Sequence, residues 1–335
     1  MLPARAVPHP TLYRVHPISF RDGNGDGMGD YRGLLRALTY LNALSIDGLV
    51  VPQDMQPCEQ TARRLAEQGL AVWINPQSNA GSEALQQPLL QGALAQQVVP
   101  FSSEKLVSVL AERRATLSQS VWSTGDAERP RVVSNWGQGD LRSADAFLTL
   151  LALLPAPIAL YQGEELGLPH AASLQEPQGA QTPMPWHEAP EQATSGEIHW
   201  YQRVAIEHRA MAISRQQQDP DSTLRFCQTL LALRRQPVIQ QGQLAEISQQ
   251  NGVIRLFITQ QDQCVEALIN LQPYTQTATP SEATLPVAWR HGAQRESHQS
   301  AGSHRWVMPG FASAIFLQSD SHEKVVCASK GVTHG

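Results

Sequence analysis

Apolar and polar positions come in alternating blocks along the first two thirds of the chain. The blocks predict strands and helices in turn. Residues 11–20 form a run rich in apolar and aromatic side chains that reads as a strand. Residues 31–44 place Leu34, Leu38, Leu41 and Tyr40 on one side, the spacing of an amphipathic helix. Residues 46–51 read as a second strand, 59–68 as a helix ended by Gly69, and 71–75 as a third strand. A Ser/Asn/Gly/Gln linker covers 76–91 and a strand is expected at 93–101. A helix over 104–118 is capped by Ser102 or Ser103, and 120–124 reads as a strand. The strongly apolar stretch 140–154 predicts a helix that Pro155 and Pro157 stop, followed by a buried-type strand at 157–161. Residues 219–235 predict a helix with Pro220 in its first turn and a basic last turn. Strand–helix alternation of this kind belongs to βαβ units and to (β/α) barrels.

From Gln236 the period shortens. Five β-type runs, at 244–247, 253–259, 264–270, 304–307 and 312–317, are separated by turn residues, which predicts a small antiparallel β-sandwich. The expected organisation is an incomplete (β/α) TIM-type barrel over 1–235, with about six of eight strands. An all-β domain over 236–320 and a polar tail over 321–335 follow.

Composition narrows the function classes. The 335 residues carry 30 acidic and 25 basic side chains, a net charge of −5 with His neutral, and the basic residues are dispersed. Nothing here makes an electrostatic case for nucleic acid or an anionic membrane surface. Cysteines stand far apart at 58, 227, 264 and 327, with no CxxC and no Cys/His spacing that suits zinc. They read as reduced thiols of a cytoplasmic protein. The N-terminal residues lack the apolar core of a signal peptide. The longest apolar run, 147–160, is interrupted by Thr149, Pro155 and Pro157 and is too short for a bilayer.

The densest chemistry lies in Arg21-Asp22-Gly23-Asn24-Gly25-Asp26-Gly27-Met28-Gly29-Asp30. Asp22, Asn24, Asp26 and Asp30 carry oxygens, four glycines let the backbone turn tightly, and the Met28 carbonyl is a plausible backbone ligand. Hard cations such as Ca²⁺ take six to eight such oxygens. The loop is not an EF-hand, because Gly33 stands where that pattern needs a Glu. An Asn/Asp/Gly turn without metal is the alternative.

Together with its flanking strand and helix, this loop resembles the opening of the α-glucosidase and oligo-1,6-glucosidase branch of the α-amylase superfamily, glycoside hydrolase family 13. Four more segments resemble the same branch in the same order. They begin with Trp122-Ser-Thr-Gly-Asp-Ala-Glu-Arg-Pro-Arg131, similar to barrel strand 7, and Leu153-Leu-Pro-Ala-Pro-Ile-Ala-Leu-Tyr-Gln-Gly-Glu-Glu-Leu-Gly167, similar to strand 8 and its loop. Gln181-Thr-Pro-Met-Pro-Trp186 follows, then the last barrel helix with Leu233-Arg-Arg235. The resemblance implies a structural Ca²⁺ or Mg²⁺ held by Asp22, Asn24, Asp26, Met28 and Asp30, and an α-glucoside or oligosaccharide as partner.

It also exposes what is missing. The family's nucleophilic Asp lies in Gly-Phe-Arg-x-Asp, which this chain lacks, and 76–92 is too short for the strands that carry the nucleophile and the acid. A barrel of this type needs about 250 residues. By the resemblance Asn75 and Arg131 remain as substrate-binding residues. Pro76 and Ala127 replace histidines, and Glu128 falls on the Asp that stabilises the transition state; a two-residue shift would put Asp126 there instead. Glu164 and Glu165 are expected to hold the strand 8 loop by hydrogen bonds. His16 reads as packed or capping, and Trp73 and Trp122 as core.

The reading is therefore an α-glucosidase-like protein of carbohydrate metabolism without hydrolytic activity, which binds sugar or pairs with itself or a full-length homologue through open strand edges. Two alternatives stand beside it. One is an active α-glucosidase or α-glucosyltransferase with a rebuilt site drawing on Asp54, Glu128 and Glu165. The other is a deletion remnant that folds poorly.

Overall fold

A computed structural model describes residues 7–52, 57–75, 101–175, 177–187, 204–280, 287–295 and 305–317. The expected barrel strands are β1 (Thr11–Arg14), β2 (Gly48–Pro52), β3 (Ala71–Asn75) and β4 (Ile158–Tyr161), all parallel in the order β3-β2-β1-β4. A fifth segment joins β4 through a single bridge, Trp122 to Ile158. Among the described residues the sheet is thus an open arc and not a closed barrel.

Side chains alternate across this arc. Leu12, Val50, Val121 and Ala159 form a small buried cluster on one face, with Trp73 packed against it. Tyr13, Leu49, Trp122, Ile158 and Leu160 point the other way, into a large core shared with the helices. Trp122 is fully buried and donates its indole N–H to the Leu117 carbonyl at 2.9 Å, so it is core.

Several elements differ from expectation. The strand predicted over 11–20 ends at Arg14, because Pro17, with its φ preset for a first helical position, starts the short helix α1 (Pro17–Phe20). His16 precedes it, and its Nδ1 lies 2.8 Å from Ser19 Oγ. The helix predicted over 31–44 divides at Ala37 (φ −92°, ψ 5°) into α2 (Tyr31–Arg36) and α3 (Leu38–Ala43). Helices α4 (Glu59–Glu67), α5 (Ser103–Glu112) and α6 (Ser143–Ala152) follow, Ser102 capping α5 through Lys105 N. Pro220 falls outside the last barrel helix, α7 (Thr223–Arg234), which Ser222 caps instead. The strand expected at 93–101 lies almost wholly outside the described residues, as does the tail at 321–335.

Arg234 explains the basic end of α7. It is 1% exposed and donates to the carbonyls of Ala152, Leu154 and Ala156 at 2.5–2.7 Å, and to Thr11 Oγ1 at 3.0 Å. Those carbonyls lie at and just beyond the end of α6, where helix carbonyls run out of intrahelical donors. Burial draws the Arg234 pKa down to about 9.

The all-β part is a sandwich. Its larger sheet has the order β5-β6-β7-β12-β9, built from β5 (Gln243–Gln250), β6 (Val253–Gln260), β7 (Gln263–Asn270), β9 (Val287–His291) and β12 (Ser313–Leu317). The smaller sheet has the order β10-β11-β8, built from β8 (Gln276–Ala278), β10 (Gln294–Arg295) and β11 (Trp306–Met308). Trp306, Met308, Leu268 and Phe316 pack between the two. The opposite face of the larger sheet carries Leu244, Ile247, Ile254, Leu256, Ile258 and Ile315, which join the barrel's own core. Three of these strands, β8, β9 and β10, were not legible as apolar runs; two are three residues or shorter.

Candidate active-site mouth

Ligands of parallel α/β sheets gather where the strands end at their carboxyl side. Arg14 closes β1 and lies opposite Tyr161 in the strand register. Period-two alternation puts both on the inner face, beyond Leu12 and Ala159. Arg14 is 8% exposed, and its Nε finds no acceptor among the described residues. Burial lowers its pKa, while Asp126, Glu164, Tyr161 and Glu128 favour its charge. Ser123 Oγ, buried on the neighbouring segment, likewise has no partner among the described residues.

The acidic residues divide by task. Glu165 is fully buried; its Oε1 accepts from Tyr13 Oη at 2.7 Å and Tyr40 Oη at 2.5 Å, its Oε2 from Gly163 N at 2.9 Å. Burial pushes its pKa up, as it does for both tyrosines. Glu164 accepts from Thr124 Oγ1 and Tyr161 N, both at 2.8 Å, and burial raises its pKa to about 7. Both glutamates therefore hold the loop after β4, as the resemblance implies. Gly163 is required there: its φ is +91°, and an added Cβ would fall 2.7 Å from Leu168 Cδ1 and 2.8 Å from Arg131 Nη1.

Glu128 is exposed at this mouth, and its backbone N–H donates to Asp126 Oδ1 at 2.9 Å. Asp126 is the buried member of the pair, 7% exposed. The gapless alignment favours Glu128, which is exposed; Asp126, which the two-residue shift would align, is buried, and both carboxylates favour the charge of Arg14. Arg14 itself escaped notice because the strand seemed to run past it to residue 20. Arg131, the other expected substrate contact, is committed largely to the loops, although its Nε finds no acceptor among the described residues. It is 1% exposed, donates to the carbonyls of Gln162 (2.7 Å) and Ala180 (2.9 Å), and lies over the Tyr161 ring at 5.0 Å. It braces the loops and does not face solvent. Asn75 ends β3 opposite Pro52, and its side chain lies outside the described ones. Asp54 and Pro76 also lie outside the described residues.

The acidic loop at 22–30 curls on itself. Asp22 Oδ1 accepts from the N–H groups of Asn24 (2.9 Å) and Gly25 (2.6 Å), and its Oδ2 from Gly27 (2.7 Å). Asn24 Oδ1 accepts from Asp26 N, Asp26 Oδ1 from Met28 N, and Asp30 caps α2 through Gly33 N at 2.6 Å. The donor set suits a hard cation: three carboxylates, an amide oxygen and a carbonyl. Each carboxylate also keeps lone pairs beyond the amides it serves. Among the described residues, however, no three acidic, His or Cys side chains are gathered closely enough to hold an ion.

Comparison with known proteins now bears on these observations. The family description "Alpha amylase, catalytic domain" matches residues 82–242. A probable alpha-glucosidase of Rhizobium meliloti is 26% identical over 194 residues, which cover 51% of this chain and 35% of that protein. Over these stretches the chain is similar to the α-amylase superfamily, the family description covering just under half of it. An oligo-1,6-glucosidase of Bacillus cereus is 53% identical over 36 residues, 11% of this chain and 6% of that protein. The matched stretches thus span about a third or less of these relatives' own length. Among solved structures, the trehalose-6-phosphate hydrolase of Bacillus licheniformis superposes with a TM-score of 0.71 at 12% identity, covering 92% of this chain and 98% of that chain. An alpha-glucosyl transfer enzyme gives 0.67 at 18% identity, covering 92% and 99%. At such identities these two speak for the fold. No helix among the described residues is long and apolar enough to cross a membrane.

Proposed function

We propose that this α-amylase relative binds an α-glucoside or related oligosaccharide at the mouth and does not hydrolyse it. The commitment of Glu164 and Glu165 to buried loop bonds carries this reading. Retaining hydrolysis needs an ionised nucleophile and a protonated acid about 5–5.5 Å apart across the bond. With both glutamates occupied, the described mouth has one exposed carboxyl, Glu128, and one buried beside Arg14, Asp126. Arg14 and Ser123, with polar atoms unspent, supply hydrogen bonds suited to sugar hydroxyls.

The test is hydrolysis of a chromogenic α-glucoside, maltose and isomaltose by the protein and its Glu128→Gln variant, with calorimetric titration of the same sugars. The expected result is no turnover by either, and binding that Arg14→Gln weakens. Turnover that vanishes in Glu128→Gln overturns the reading. It would favour a rebuilt catalytic pair, for which the closeness of Asp126 and Glu128 to Arg14 is the supporting observation.

Two further parts belong to the reading. The loop at 22–30 holds Ca²⁺ or Mg²⁺ through Asp22, Asn24, Asp26, the Met28 carbonyl and Asp30, a structural ion that braces the start of α2. Strand β3 has a neighbour on one side only among the described residues, which supports pairing with a second copy or a full-length homologue. A monodisperse monomer in light scattering removes that last part.

A further inference from the structure

We propose that a groove between the barrel and the β-sandwich, separate from the mouth, is a second binding site for a neutral oligosaccharide. The groove has a volume of about 470 Å³, within the roughly 300–1,000 Å³ of small-molecule sites. The start of α5, the β5–β6 turn and the β7–β8 turn line it, and none of the mouth residues contributes. Four uncharged amides face it: Gln249, Asn251, Gln272 and Gln276. Tyr274 stands beside them, 57% exposed, a degree that only Ile206 exceeds among the large apolar side chains of the described residues.

The chemistry selects the ligand. An amide side chain donates and accepts at once, as a sugar hydroxyl does. Tyr274 adds an aromatic face with a polar edge. No basic residue lines the groove, and Glu104 is its one carboxylate, so an anionic ligand has no counter-charge there. The amides of Asn251, Gln272 and Gln276 make no side-chain hydrogen bond among the described residues, which leaves them for a ligand.

The walls are also held in place. Asn270 is fully buried, and its Nδ2 donates to the carbonyls of Tyr274, Met308 and Pro309, each at 2.9 Å, while its Oδ1 accepts from Gln272 N at 3.0 Å. That one side chain fixes the loop presenting Tyr274. Gln249 Oε1 accepts from Gly252 N at 3.0 Å and closes the opposite turn. There Gly252 has φ +79°, and an added Cβ would sit 2.8 Å from Gln272 Cγ. Beneath, Phe101 is wedged against Trp136 and Phe147 at 5.2 and 5.6 Å. A groove ordered in advance spends less of its contact energy on ordering.

The experiment titrates maltoheptaose into the full chain by calorimetry, with Tyr274→Ala, Tyr274→Phe, Gln272→Ala and Asp126→Asn alongside. The expected result is a binding component that Tyr274→Ala and Gln272→Ala each weaken about tenfold or more, that Tyr274→Phe largely keeps, and that persists in Asp126→Asn even where that variant alters binding at the mouth. Unaltered melting curves for the Tyr274 variants accompany it, since the side chain is exposed. Absence of maltoheptaose binding overturns the proposal, as does binding that Asp126→Asn removes and Tyr274→Ala does not touch, which would leave the mouth as the sole site. A sulfated oligosaccharide binding as tightly as the neutral one also overturns it. Loss of mouth binding with the Tyr274-dependent component intact separates the two sites.

Discussion

The loop at 22–30 and the turn Glu164–Leu166 both set carboxylates between glycines, and they use them in opposite ways. In the loop, each side-chain oxygen serves an amide two to five residues away, in partial or full contact with solvent. In the turn, Glu165 binds Tyr13 and Tyr40, 152 and 125 residues distant, and Glu164 binds Thr124, 40 residues distant, all out of water. The same residue type closes a local circuit in one place and ties β1, α3 and the segment beside β4 together in the other. Burial sets the difference, since a carboxylate out of water must find its donors wherever the fold brings them.

The comparison breaks most sharply at Glu165. Glu165→Ala leaves two buried hydroxyls and the Gly163 N–H without their acceptor, and urea denaturation is expected to register a loss of about 3–5 kcal/mol. Unaltered stability would mean the turn is as local as the loop. Gly163→Ala comes next, at about 1–3 kcal/mol by the same measurement, from its positive φ and the approach of Leu168 and Arg131.

Glu164→Gln adds a pH signature. The folded Glu164 pKa of about 7 exceeds its ordinary value of 4.5. Between the two, the folded state holds a proton that the unfolded state has lost, so this group's contribution declines as pH rises through the window. The variant should gain on the parent from pH 4.5 to 7, by on the order of 3 kcal/mol. A flat difference across that range defeats the prediction. His208, buried and lowered to about 4, works in the other direction: its contribution is lost as pH falls from 6.5 towards 4.

In the loop the expected effects are smaller. Asp22→Ala removes the acceptor of three amides that water can partly reach, at a cost of about 1 kcal/mol. Millimolar Ca²⁺ should raise the melting temperature of the parent by mass action and not that of Asp26→Ala. No shift with Ca²⁺ or Mg²⁺ would leave the loop a hydrogen-bonded turn.

The two regions also mark what the sequence could tell. Ser102, Gly69 and the alternation along 253–270 act through neighbours in the chain, and the elements they imply are present. The expected bracing role of Glu164 and Glu165 came from the resemblance, and no spacing could have named Tyr13 or Tyr40 as partners. Arg131 and Asp126 show the limit. Both lie within one short segment, and which is sealed against carbonyls and which borders Arg14 depends on loops that fold in from Gln162 and Ala180. Arg14 stayed hidden for a local reason, since Pro17 ends the strand that the apolar run appears to continue.

The larger sheet of the sandwich has a consequence for how the molecule comes apart. One face packs within the sandwich and the other supplies nine apolar side chains, Val265, Ala267 and Ile269 of β7 among them, to the barrel's core. Pulling the halves apart would put that face and its helical partners into water together. The protein should therefore melt as one cooperative unit, and amide exchange from β6 and β7 should report the same opening free energy as exchange from α6. On this account the boundary near residue 236 divides the topology and leaves the foldon whole.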